Sequence, residues 1–211
     1  MSTAPVAVLA TTTLEFVPCT PRNLTMVLSV QLERYMAIQA YDALETGEAE
    51  YRRTLQDTIE AFTWNEEQAE AGLLDVAVFD PRLTGEYLAN IGGVTCYINP
   101  PDECTNYEAV LTPEGIYVAQ LQLGPMHKGI APRDFRSTHS PLEQGLTVKE
   151  GLSVLALRGH DFLSVCYANL PGSSSSDGRV PYLGLDGAGP CLDSHYGDGA
   201  SSGYGSASRG S

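Results

Sequence analysis

The last forty residues of this 211-residue chain, 172–211, hold ten glycines and ten serines, a composition that argues against a helix and leaves two solutions. Half of such a segment has little side chain to bury, and glycine loses more backbone freedom on ordering than any other residue, so the bias alone points to a flexible linker. The segment is not uniform. Arg179-Val-Pro-Tyr-Leu183, Cys191-Leu192, Tyr196 and Tyr204 interrupt it with residues that favour burial. Tight turns packed on a sheet reconcile the two observations, so residues 172–211 are expected to be a packed part of the domain.

Upstream the pattern is helical, then strand-like. Thr20-Pro21 is a cap and first-turn pair, and Leu24, Val27, Leu28, Gln31, Tyr35, Ile38 and Leu44 recur near a 3.6 period until Gly47, which predicts one long helix over 22–45. Tyr51, Leu55, Ile59 and Phe62 predict a second over 48–63. From Leu74 the apolar runs are short and β-favouring: 74–79 ends at Asp80-Pro81 and 94–98 at Asn99-Pro100-Pro101, with a short helix over 84–91 between them. Residues 116–123 read as a third strand, followed by a loop through Pro125, Gly129, Pro132 and Pro141. Thr147-Val-Lys-Glu150 fits a capping box opening a helix at 148–158 that Gly159 ends; 162–168 and 180–185 add two strands. The sum is an α+β chain: a leader over 1–20, then a single domain over 21–211 with N-terminal helices and a mixed sheet of about four to six strands.

Charge narrows the partners. Twenty-six acids against twelve bases give a formal charge of −14, which argues against nucleic acid and an anionic membrane, where Lys and Arg supply the affinity. The apolar stretch Val6–Ala10 is too short and too poor in basic flanks for a signal peptide, and no run approaches the length that spans a bilayer, so a cytoplasmic protein off the membrane is expected. Five cysteines at irregular spacing fit reduced thiols. Ten of the acids lie between Asp42 and Asp75, against Arg52 and Arg53. The one positive stretch is His127, Lys128, Arg133, Arg136 and His139, a place to hold an anion or the acidic face of a partner.

No catalytic or cofactor signature rises above this description. Cys191 and His195, with His160 and Cys166 upstream, are residue types zinc accepts, but the spacing lacks two tight ligand pairs and no metal is expected. Gly199-Ala-Ser-Ser-Gly203 has the letters of a nucleophile elbow without the strand before it or the helix after it. Asp186-Gly187, Asp193 and Asp198-Gly199 lack the series of oxygens a calcium loop needs. Cys191, His195 and Tyr204 are the residues of the tail that could line a pocket.

Three segments, Leu146-Thr-Val-Lys-Glu-Gly-Leu152, Asp177-Gly-Arg-Val-Pro181 and Gly205-Ser-Ala-Ser208, occur in an order that resembles an uncharacterised family of bacterial proteins known only as a domain of unknown function. An N-terminal helix similar to Val30-Gln-Leu-Glu-Arg-Tyr35 precedes them there, so the likeness covers about residues 30–210. In that family aromatic residues and a histidine come just before the terminal Gly-Ser-Ala-Ser; this chain departs from that pattern, with only His195, Tyr196 and Tyr204 to answer to them. The resemblance implies a bacterial cytoplasmic protein with a packed tail and brings no activity. The leading expectation is a non-enzymatic binding or protein-interaction protein, meeting a protein partner or a second copy through its acidic helices and basic loop. The alternatives are a small hydrolase or transferase acting on an anionic substrate, with a Cys or Ser activated by His139 or His195, and a structural or assembly subunit.

Overall fold

The helical third and the strand-rich remainder share one apolar core in the computed structural model, which describes residues 19–107 and 110–211. Most of the expected leader therefore lies outside the described residues. The helices come first: α1 (Leu24–Ala37), α2 (Ala40–Ala43), α3 (Glu48–Ala61) and α4 (Glu66–Glu70). The single helix expected over 22–45 is broken at Gln39, whose φ is 57°. The break has a packing reason. Ile38 and Ala40 are both buried, yet two positions apart on a continuous helix face nearly opposite sides. Leaving the helix at Ile38 buries both, and the Ile38 carbonyl is taken by the Tyr87 hydroxyl.

The rest of the chain adds β1 (Asp75–Phe79), α5 (Gly85–Gly92), β2 (Thr95–Cys96), β3 (Thr105–Asn106), β4 (Tyr117–Lys128), α6 (Pro132–Thr138), β5 (Glu143–Gly145), α7 (Val148–Arg158), β6 (Tyr167–Asn169), β7 (Ser173–Ser174), β8 (Val180–Asp186), β9 (Gly189–His195) and β10 (Tyr204–Gly210). Among the described residues an eight-stranded mixed sheet runs β1-β4-β10-β6-β8-β9-β2, with β5 also on β10, and β3 and β7 form a separate pair. The sheet exceeds the expected size because the Gly/Ser-rich segment supplies β9 and β10. The expected loop after residue 123 is strand as far as Lys128, and Pro132 opens a helix that the sequence reading did not anticipate.

β10 lies inside the sheet, antiparallel to β4 and parallel to β6. Small residues make that possible. A Cβ on Gly205 would collide with the Gly124 backbone, at the point where the β4–β10 register shifts from Gly205↔Lys128 to Ala207↔Leu123. The far end of β10 is fastened by Arg209, buried at 4%, whose Nε bonds Glu150 and whose Nη2 donates to the Leu111 carbonyl at 2.6 Å. Glu150 completes the expected capping box: the Thr147 backbone N–H donates to its Oε2 at 2.6 Å, and its own N–H donates to Thr147 Oγ1 at 3.3 Å. One ion pair thus ties the start of α7 to the last strand.

At the other end of the sheet, β1 would expose its outer edge. α1 closes it: Gln31 Nε2 donates to the Val76 carbonyl at 3.0 Å, Gln31 Oε1 accepts from the Val78 N–H at 2.9 Å, and the Tyr35 hydroxyl donates to the Val78 carbonyl at 3.0 Å. A side-chain amide offers the donor and acceptor that a neighbouring strand would offer, so the edge is satisfied without one. No helix of the described residues is long and apolar enough to cross a membrane.

A candidate binding face

Strand registers divide the sheet into two unlike faces. Ala77, Ala119, Leu121, Leu123, Ala207, Ala168, Leu183 and Leu192 share the face that packs under α7 and are buried. The opposite face carries Gln120 and Gln122 from β4, Ser206 and Ser208 from β10, and then four rings, one from each of four neighbouring strands: Tyr204 (β10), Tyr167 (β6), Tyr182 (β8) and His195 (β9). The rings converge on Tyr204, whose centroid lies 4.9 Å from Tyr167, 5.1 Å from Tyr182 and 5.0 Å from His195. All four are half-buried. Tyr182 and Tyr204 cross edge to face, the arrangement that aromatic quadrupoles favour.

The floor beneath the rings is polar. Asn169 and Ser206 are register partners on β6 and β10, both fully buried. His195 Nε2 lies 2.7 Å from the Asn169 side-chain amide, and the Tyr196 backbone is a second partner of the ring. That bond leaves Asn169 Nδ2 without a partner, and Ser206 Oγ beside it has none. Turning the amide over exchanges the orphaned nitrogen for an orphaned oxygen and removes nothing. Each such group costs about 1–3 kcal/mol when it is buried without a partner. Burial pushes the His195 pKa below its ordinary value, so its imidazole is neutral at pH 7. The Tyr182 hydroxyl, its pKa raised by burial and by hydrogen bonding to Tyr204, donates to Asp193 at 3.3 Å.

The basic loop meets this face through its backbone. The Gly129 N–H donates to the Tyr204 carbonyl at 3.0 Å and the Arg133 N–H to the Gly197 carbonyl at 2.9 Å. Most of its side chains turn to partners of their own. Arg136 donates to the Pro171 and Ser173 carbonyls at 2.8 and 2.6 Å and lies over the Tyr107 ring, and burial lowers its pKa. His127 sits 3.3 Å from Glu143 and packs on Phe135, whose other neighbour is the stacked ring of His139. Lys128 donates to the Val165 carbonyl at 3.1 Å, while Arg133 stays exposed with only a 3.6 Å contact to Asp134. The five residues therefore form no shared anion cradle. In the acidic stretch, Asp75 is buried against Arg158, and the other nine acids are exposed.

The structure brings His195 and Tyr204 together, whereas Cys191 lies on β9 beyond Asp193, opposite Gly184. Among the described residues no three His, Cys, Asp or Glu side chains converge to hold a metal. Burial raises all five thiols, Cys19 and Cys104 to about 11. Among the described residues the histidine hydrogen bonds go to Phe135 O, the Asn169 amide and the Tyr196 backbone, not to a thiol or hydroxyl. Residues 199–203 are an exposed connection between β9 and β10. Tyr167, Asn169, Tyr182 and Ser206 were not among the site residues expected from the sequence, although Tyr182 and Ser206 lie in segments it marked. Their period-2 alternation in Tyr-Ala-Asn169 and Tyr-Gly-Ser206 was the available signal.

A second concavity, 460 Å³ in volume, opens at the start of α7, lined by Asp80, Asp102, Cys104, Tyr117, Lys149 and Glu150 among others. Its carboxylates are all engaged. Asp80 holds Arg82 and the Tyr51 hydroxyl, Asp102 accepts from the Gly85 and Glu86 N–H groups, and Glu150 holds Arg209 and Tyr117. No carboxylate there is left as a free base. Compared with known proteins, the chain matches no family model, no curated protein and no solved structure.

Proposed function

We propose that this is a binding protein rather than an enzyme, and that its ligand sits on the tyrosine–histidine face of the sheet. One observation carries the reading: four half-buried rings from four adjacent strands stand over two buried polar groups that the protein itself does not satisfy. Rigid aromatic side chains give contact area at low entropic cost, and a few placed polar groups give orientation, which is the composition of binding sites. Among the described residues the histidines bond backbone and amide groups, and burial raises the thiols, which favours binding over nucleophilic chemistry. The resemblance to the uncharacterised bacterial family and a cytoplasmic location belong to the same proposal.

A thermal-shift screen of small polar metabolites tests it. A ligand present at a hundred times its Kd stabilises the fold by about 2.7 kcal/mol, and Tyr182→Ser should abolish that shift while Lys149→Ala, in the cleft at α7, should not. Hits that respond to Lys149→Ala and ignore Tyr182→Ser would place the ligand in the cleft and defeat the reading.

A further inference from the structure

Resting on that binding face, we infer that its ligand is a neutral polyhydroxylated molecule, a saccharide ring, one hydroxyl of which completes the hydrogen bonds of Asn169 and Ser206. The vacancies select the chemistry. The Asn169 amide has one end unpaired whichever way it is turned, and Ser206 Oγ, on its register partner, can both donate and accept. A single hydroxyl, itself donor and acceptor, meets the free end of the amide in either orientation and exchanges a hydrogen bond with Ser206. A carboxylate or phosphate would bring negative charge onto a face that carries Asp193, on a protein of net charge −14.

The rings select for shape. Tyr167 and Tyr182 are nearly parallel, with centroids 5.9 Å apart and Tyr204 set across both, so no open slot receives a flat aromatic ligand between them. What the face offers instead is ring surface for the C–H side of a saccharide, with a neutral imidazole, tyrosine hydroxyls and the Asp193 carboxylate for its remaining hydroxyls. Both orphaned atoms are buried in the empty protein, so side chains of the face must shift for the hydroxyl to reach them.

The account makes Ser206 a residue that weakens the empty protein and strengthens the complex, and this can be measured. The probes are the methyl glycosides of glucose, galactose, mannose and N-acetylglucosamine, with gluconate as the charged counterpart. Binding is followed by NMR of the full chain at glycoside concentrations up to about 50 mM, the weak end of the affinity scale. At least one glycoside should shift Tyr167, Tyr182, Tyr204 and His195, and gluconate should not. Ser206→Ala should melt at or above the wild-type temperature and bind that glycoside about tenfold more weakly, the loss of one hydrogen bond. Failure of every glycoside while other small molecules still shift the four rings overturns the saccharide assignment and leaves the binding face standing. A Ser206→Ala protein that melts well below wild type overturns the inference too, because Oγ would then be satisfied within the empty fold.

Discussion

Replacing Gln31 by leucine should unfasten the sheet's first edge, and the loss can be sized in advance. Gln31 is 2% exposed, and its amide satisfies the Val76 carbonyl and the Val78 N–H, both on a strand buried at every position. Leucine keeps most of the volume and removes both partners. Two buried backbone groups lose their bonds at about 1–3 kcal/mol each, so the loss is about 2–6 kcal/mol, out of a total stability of about 5–15 kcal/mol for a typical domain. At about 2–4 °C per kcal/mol for a chain of this size, the melting temperature should fall by at least about 4 °C. Urea unfolding gives the energy, and amide hydrogen exchange locates it, since the Val78 N–H should lose protection ahead of the β4 amides. The Tyr35 bond to the Val78 carbonyl stays in place, so the effect should be local to the edge at low denaturant. A Gln31→Leu protein within about 0.5 kcal/mol of wild type, the range of ordinary surface substitutions, with Val78 still protected, would refute the view that α1 stands in for a missing strand.

Other perturbations follow from the same physics. Arg209→Ala leaves Glu150, 2% exposed, as an uncompensated buried charge, and should cost about 3–5 kcal/mol in urea unfolding. Gly205→Ala meets the Gly124 backbone, which cannot yield as a side chain would, and should cost at least about 1–3 kcal/mol and disturb the β4–β10 pairing in hydrogen exchange. Because burial holds the His195 pKa below 6.5 in the folded state, the unfolded chain takes up the proton first as pH falls. The stabilising contribution of neutral His195 is therefore complete above pH 6.5 and declines below it, so wild type should lose melting temperature relative to His195→Gln as pH falls from neutrality, and ring NMR should show His195 titrating below 6.5.

Local signals were legible wherever one residue type had one job. The capping box at Thr147–Glu150 forms as the sequence predicts, and α3 and α5 fall within two residues of the expected spans. Where packing decided, the sequence was a poorer guide: nothing local requires Gln39 to adopt a positive φ, and the break exists to bury Ile38 and Ala40 together. The tail illustrates both. Arg179-Val-Pro-Tyr-Leu183, Cys191-Leu192, Tyr196 and Tyr204 argued that it was no linker, but that Gly-Ser-Ala-Ser would be an inner strand depends on Gly205 meeting Gly124, a contact between residues far apart in sequence. His195 and Tyr204, expected as residues that could line a pocket, do come together on one face of the sheet. Asn169 and Ser206 were not expected there, because a serine among ten serines carries no mark of being buried and unsatisfied.

The central claim is that the four-ring face is where this protein meets its ligand. Carbon-13 labelling of the tyrosine rings tests it most directly, since the chain reports on itself at Tyr167, Tyr182 and Tyr204 on the face, at Tyr117 beside the α7 cleft and at Tyr35 in the core. On addition of any small molecule that stabilises the protein, the three face tyrosines should shift together and saturably while Tyr117 and Tyr35 stay still. Shifts at Tyr117 with the face rings unmoved would contradict the account.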